Sequence, residues 1–191
     1  MSRESSAPDI QTTLPPAPDD NTPAAYFQAG LRLLQVGQLQ AAEQCGRQAL
    51  ALDAHHADSL HLMGLLSLLA KQHAIAIEWF AEAIRQNPGV ADYFFNLASA
   101  LRQQGRVDEA ISLLENGPPQ WRSVPYVRFW LALSYALAGR KEQAAAEFTA
   151  FRAVAPKYTL AIERQLNVGS LTQEFLNQIV ALSGEYGIPE K

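Results

Sequence analysis

The sequence predicts an all-α fold, a solenoid made of repeated helix-turn-helix units and closed by a C-terminal capping helix. Three observations predict it: a period of 34 residues, apolar residues at helical spacing within each period, and glycine or proline where helices have to end. The chain has 191 residues, 48% of them hydrophobic, which suffices for one domain with a buried core.

The period is most visible in the small residues. Alanine recurs at Ala42, Ala76, Ala110 and Ala144, and a second small position holds Gly30, Gly64, Ala98 and Ala132. Both rows keep a spacing of 34 residues without an insertion. Four tandem units follow: 23–56, 57–90, 91–124 and 125–158.

Each unit is predicted to contain two helices. In the unit 57–90, the stretch "ADSLHLMGLLSLLA" has apolar residues at i, i+3, i+4 and i+7, and "HAIAIEWFAEAIRQN" forms a second helix that ends at Pro88. Gly64 and Ala76 are small enough to let the two helices approach closely where they cross. Glycine recurs at positions 37, 105 and 139, where the chain turns between helices.

This pattern resembles the tetratricopeptide repeat. The match is clearest over "ADYFFNLASALRQQGRVDEAISLLENG", and the resemblance covers residues 23–158. It implies a right-handed α-solenoid whose first helices line a concave groove, and it implies a protein-binding role.

The pattern is broken inside the third unit and is lost beyond both ends of the repeat region. Gly117, Pro118 and Pro119 predict that the second helix of the third unit stops about a turn early. After residue 158 the period is lost, and 171–184 is predicted to be a capping helix within a C-terminal region 159–191. Ser170 and Gln173 form a capping box, and the apolar stripe of this helix is Leu171, Phe175, Ile179 and Leu182. Residues 1–22, rich in Ser, Pro and Asp, are expected to be a disordered tail.

Composition excludes several classes of protein. The net charge of −4 argues against nucleic-acid binding, which favours basic domains. The apolar stretch from Gly64 to Pro88 is interrupted at Lys71, so no membrane insertion is expected. A single cysteine, Cys45, and an N-terminus without an apolar leader favour a cytoplasmic protein.

No catalytic or metal-binding pattern stands out. His55, His56 and His61 lie close in sequence, but zinc usually needs about four well-placed ligands and no HExxH or CxxC is present. No phosphate-binding loop or nucleophile motif occurs either. We therefore expect no enzyme activity, no cofactor and no metal.

The resemblance places the candidate binding residues on the first helix of each unit. They comprise Phe27, Leu31, Leu34, Asp58, His61, Leu65, Leu68, Asp92, Phe95, Asn96, Ser99, Arg102, Tyr126, Phe129 and Leu133. The carboxylate clamp that holds chaperone tails is absent, since the residues at such positions are Phe27, Leu31, Leu62 and Asp92. An asparagine ladder would have only Asn96. An apolar groove remains, suited to an amphipathic helix or an extended apolar segment, with Asp58, Asp92 and Arg102 able to orient the ligand.

Three functions stay open at this stage. The first is a non-enzymatic adaptor or chaperone-like scaffold, similar in size to the small repeat chaperones of bacterial secretion systems. The second is a regulatory or substrate-docking module of an enzyme system, with a separate cyclase, glycosyltransferase or kinase as partner. The third is an assembly protein that covers its groove with a second copy, as a homodimer.

Overall fold

The computed structural model describes residues 20–118, 121, 124–157 and 173–188, with the side chains of 173–176 excepted. The described part of the chain is all-α. Its helices are α1 (Pro23–Gln35), α2 (Leu39–Leu52), α3 (Ala57–Leu69), α4 (His73–Gln86), α5 (Ala91–Gln103), α6 (Val107–Glu115), α7 (Pro125–Leu137), α8 (Lys141–Val154) and α9 (Gln173–Glu185).

The 34-residue period sets the helix starts. First helices begin at Pro23, Ala57, Ala91 and Pro125, and second helices begin 16 residues after each of them. Each pair packs together, and each second helix from α2 to α6 also packs on the first helix of the next pair. The all-α repeat solenoid predicted from the sequence is therefore confirmed.

The turn inside each pair needs one residue in the left-handed region. Glycine supplies it at Gly37, Gly105 and Gly139, with φ between 70° and 77°. The second pair uses Lys71 instead, at φ 59°. The backbone thus keeps the same turn even where the glycine is missing.

Small residues let the helices of a pair approach closely. Ala42, Ala76, Ala110 and Ala144 are all fully buried. A Cβ built on Gly64 would lie 2.4 Å from Cε1 of Phe80, whose ring is itself fully buried. The glycine is therefore needed for packing of α3 on α4, as its place in the period predicts.

The third pair has a short second helix. α6 has 9 residues whereas α2, α4 and α8 have 14, which confirms the early stop predicted from Gly117 and Pro118. Trp121 is buried beside this end, with its ring 4.7 Å from that of Phe94. A Cβ on Gly117 would meet Trp121 at 2.8 Å, so the indole packs against the backbone that follows α6.

The C-terminal helix α9 packs against α7. Ile179 on α9, and Ile188 beyond its end, belong to the same buried cluster as the residues of α7 and α8. Tyr186 stacks on Phe148 of α8, with ring centroids 4.8 Å apart. These contacts cover the last helix pair, as a capping helix would.

Several expectations lie outside the described residues: the tail up to residue 19, the capping box at Ser170, and the side chains of Leu171 and Phe175. The division into 1–22, 23–158 and 159–191 accordingly stays a proposal. Within the described ranges, no helix combines the length and apolar character that a bilayer crossing requires.

Candidate protein-binding groove

The fifteen predicted groove residues fall into two groups. Six are buried, none more than 7% exposed: Leu68, Phe95, Ser99, Arg102, Phe129 and Leu133. Nine are half-buried or exposed: Phe27, Leu31, Leu34, Asp58, His61, Leu65, Asp92, Asn96 and Tyr126. Five of the buried six lie on α5 and α7, so the groove is closed towards its C-terminal end and open on α1 and α3.

Aromatic packing accounts for much of the closed half. The ring of Phe95 meets that of Tyr126 edge to face at 4.7 Å. Phe129 is surrounded by the rings of Trp130, Phe148 and Phe151 at 5.4 to 6.2 Å. Phe95 and Phe129 are therefore core residues in this conformation, and a ligand on the groove surface would not reach them.

Arg102 is also engaged inside the chain. Its guanidinium carbon lies 4.2 Å from the centre of the Trp130 ring, and Nη1 donates a hydrogen bond to Oγ of Ser134 at 3.2 Å. A cation held over an indole and desolvated in this way stabilises the α5–α7 contact. Arg102, which was expected to orient a ligand, therefore connects the third repeat to the fourth.

A polar bridge joins α3 to α5 at the border of the open half. The hydroxyl of Tyr93 donates to Oδ1 of Asp58, and Asn96 Nδ2 lies 2.8 Å from Nε2 of His61. The ring of His61 packs against that of Tyr93 at a tilt of 35°, with centroids 4.7 Å apart. Burial, and then the bond to Asp58, raise the pKa of Tyr93, so the phenol stays protonated and remains the donor.

The polar bridge includes Asn96, the one asparagine that the sequence analysis considered for a peptide-binding ladder. With the amide of Asn96 as donor, Nε2 of His61 accepts and the imidazole is neutral. Burial lowers the pKa of His61 to about 4, although the nearby carboxylate of Asp58 opposes the shift. Asn96 is thus committed to a contact within the chain, and an asparagine ladder for peptide backbone has no member left.

The neutral state of His61 predicts a stability that depends on pH. An unfolded histidine has a pKa of about 6.5, so between pH 6.5 and 4 the unfolded chain binds more protons and the folded state loses stability as the pH falls. From about pH 7 to about pH 5 the contribution of this residue should fall by about 2 kcal/mol. Urea unfolding of the wild type and of His61→Gln at both pH values checks this, and an equal loss in the two proteins would contradict it.

The open half is apolar with acidic side chains at one edge. Phe27, Leu31 and Leu34 lie at i, i+4 and i+7 on one face of α1, and Leu65 lies on the neighbouring helix α3. Asp58 and Asp92 are exposed in the first turns of α3 and α5. Phe27 and Leu34 also pack against the buried cluster of Ala42, Leu62, Met63 and Leu66.

A second apolar surface was not foreseen from the sequence. A cleft of about 560 Å³ lies between α4, α5 and α6, lined by Ile77, Ala81, Phe94, Leu97, Leu101, Arg106, Glu109, Ser112, Leu113 and Asn116. Arg106 and Glu109 pair with each other at its rim, 2.7 Å apart. Leu113 and Asn116, at the end of the short α6, lie on this cleft.

The described residues give no support for metal chemistry. No group of three or more His, Cys, Asp or Glu side chains among them is arranged to hold a metal ion. Cys45 is buried, and burial raises the pKa of its thiol, which makes it a poor nucleophile. The helical-repeat fold itself is typical of proteins that bind other proteins.

The fold and the groove define a class of helical-repeat interaction proteins. Two family models match the chain: "Anaphase-promoting complex, cyclosome, subunit 3" over residues 35–117, and "Tetratricopeptide repeat" over residues 95–159. The chain is a tetratricopeptide repeat protein.

Curated relatives match a part of the chain. Cellulose synthase operon protein C from Komagataeibacter sucrofermentans and from Komagataeibacter xylinus is 42% identical over 78 residues, which is 41% of this chain. The matched stretch spans only 6% of the length of these relatives. The similarity therefore concerns a short run of repeats.

Solved structures share the fold. YrrB, described as a TPR protein with an unusual peptide-binding site, matches with a TM-score of 0.63 and 19% identity over 85% of this chain and 87% of its own. The pilF protein of Pseudomonas aeruginosa matches with a TM-score of 0.66 and 21% identity over 86% and 76%. At such identities the likeness establishes the architecture alone.

Proposed function

We propose that the chain is a non-enzymatic interaction scaffold, cytoplasmic and bacterial, that binds an apolar or amphipathic protein segment in the open half of its groove. One observation carries the proposal: Phe27, Leu31, Leu34 and Leu65 are apolar side chains on α1 and α3 that the described part of the chain only partly buries. Residues i, i+4 and i+7 extend along about 10 Å of helix, enough for two turns of a bound helix. Leaving such a surface in water is unfavourable unless a partner covers it.

A chaperone-like role is the form of scaffold that we favour. The bound segment would be an apolar stretch of a partner that has to be kept from associating elsewhere. The peptide-binding site in the description of YrrB is consistent with a segment as ligand on this architecture.

The test is capture of partners by the tagged full-length chain. Leu31→Ser with Leu65→Ser should remove the captured proteins from a native extract, because each substitution takes one apolar contact from the middle of the surface. These two residues are preferable to Phe95, whose replacement would also open a cavity in the core.

The matched control is Ile75→Ser with Val154→Ser. Both side chains are apolar and exposed, at 44% and 54%, and they lie on the outer helices α4 and α8. The control should capture what the wild type captures. Unchanged capture by the Leu31 and Leu65 variant, with its helicity intact, would contradict the proposal.

A second candidate is a docking module of an enzyme system. The 42% identity to cellulose synthase operon protein C favours it, since the name of that protein places it with a synthase. Under this alternative the captured partner would be a catalytic subunit such as a glycosyltransferase, a cyclase or a kinase, and its turnover would change on mixing with the chain.

A homodimer through the same surface is the remaining form of assembly. Light scattering distinguishes it, because a groove covered by a second copy gives a dimer whose population rises with concentration. If the chain is a monomer at all concentrations, the partner that covers this surface is a different protein.

A further inference from the structure

Two aspartates stand at one edge of the open groove. Asp58 and Asp92 both occupy the second position of their repeat, and both side chains are exposed. Five other acidic side chains of the described residues form ion pairs: Glu43, Glu82, Asp108, Glu109 and Glu147. Over the same part of the chain, neither Asp58 nor Asp92 takes part in one.

A hydrogen bond from the next repeat fixes the position of the Asp58 carboxylate. The carboxylate accepts a hydrogen bond from Tyr93, a side chain that is only 1% exposed and belongs to the next repeat. An ionised carboxylate accepts up to about four hydrogen bonds, so this bond orients the group and leaves most of its capacity facing outward. An acidic residue in a first turn stabilises its helix by charge alone, and that role requires no bond across a repeat boundary.

Among the described residues that the repeat pattern places in the groove, Arg102 is the only lysine or arginine. In the first two repeats, the positions that the repeat pattern assigns to the groove carry neither residue type. His61 is neutral in the folded chain, and the guanidinium of Arg102 lies over Trp130. The open half therefore presents an apolar surface under a negative potential.

We propose that the segment bound in this groove is a cationic amphipathic one. Its apolar face packs on Phe27, Leu31 and Leu65, and its lysine or arginine side chains meet Asp58 and Asp92. The inference rests on the proposed function and adds the charge of the partner to it. Opposite charges across the rim speed association and reject acidic segments, which is how such charges give specificity.

The test uses three synthetic helical peptides of about 18 residues with the same leucine face and with lysine, glutamine or glutamate on the other face. Fluorescence anisotropy measures their binding to the full-length chain. The lysine peptide should bind about fivefold to tenfold more tightly than the glutamate peptide at low ionic strength, and the difference should shrink at high ionic strength.

Two charge variants locate the effect. Asp58→Asn with Asp92→Asn keeps an acceptor for Tyr93 and should reduce the preference for lysine to less than about twofold. Glu78→Gln with Glu142→Gln changes the net charge equally, at exposed residues of the outer helices α4 and α8, and should leave the preference intact.

The outcomes separate this inference from the proposed function. Equal binding of all three peptides, weakened by Leu31→Ser with Leu65→Ser, would overturn the charge preference and leave the groove as the site. An equal effect of the two charge variants would also overturn it, since net charge alone would then explain the preference. If no peptide binds, or if Leu31→Ser with Leu65→Ser leaves binding unchanged, both the charge preference and the proposed function are overturned.

Discussion

Phe129→Ala is expected to lower the free energy of unfolding by about 3–5 kcal/mol. The ring is fully buried and contacts the rings of Trp130, Phe148 and Phe151, so its removal leaves a cavity between α7 and α8 that rigid aromatic neighbours cannot fill. Urea denaturation followed by circular dichroism measures the loss.

The control for this variant is Phe27→Ala at the equivalent position of the first repeat. Phe27 is half-buried on the open surface, so less contact is lost and the cost should stay below about 2 kcal/mol. A stability loss that is the same for both variants would contradict the distinction between a closed and an open half. So would a Phe129→Ala protein with wild-type stability, the result expected if Phe129 were a groove contact.

Gly64→Val is expected to cost about 3 kcal/mol, at the upper end of the range for overpacked cores. The first added carbon would already lie 2.4 Å from the ring of Phe80, and that ring is held in the centre of the α3–α4 pair with no exposed surface. Relief would require the two helices to move apart. Thermal unfolding measures the effect.

Gly184→Val is the matched control on α9. Nothing lies within 4 Å of a Cβ at Gly184, so this substitution should change stability by less than about 0.5 kcal/mol. Phe80→Leu should cost less in the Gly64→Val background than in the wild type, because the smaller side chain makes room for the new one. Additive effects of the two substitutions would show that Gly64 and Phe80 do not constrain each other.

The period made the helices predictable. Small residues at fixed places in a 34-residue unit are typical of two helices that cross at short distance. Gly64, Ala76 and their equivalents therefore indicated where each helix pair lies. Glycine at the turns and the Gly-Pro-Pro after α6 then predicted where helices end. These are local properties of the backbone, and the sequence carries them directly.

The accessibility of the groove was not predictable in the same way. Phe27 and Phe129 hold the same position of the repeat, yet one is half-buried and the other fully buried. The difference comes from the rings of Phe148 and Phe151 and from α9, which lies in the region where the period is lost. A repeat register assigns a face to a side chain, whereas burial depends on which neighbours cover that face.

The polar bridge was not predictable from the sequence either. Asp58 and His61 contact residues 35 positions further on, Tyr93 and Asn96, so the bridge follows the repeat with an offset of one. The sequence made Asp58, His61 and Asn96 ligand-binding candidates one by one, and it did not single out Tyr93. Their mutual bond commits the half-buried His61 and Asn96 to a contact within the chain, while the side chain of Asp58 is exposed.

The most direct test of the central claim, that partners bind in the open half of the concave groove, is a leucine methyl NMR titration of the full-length chain with the lysine peptide. We expect the methyl resonances of Leu31, Leu34 and Leu65 to shift together. The methyls of Leu97, Leu101 and Leu113, which line the cleft between α4 and α6, should stay in place. Shifts confined to those three would contradict the account and would place the binding site in the cleft between α4, α5 and α6.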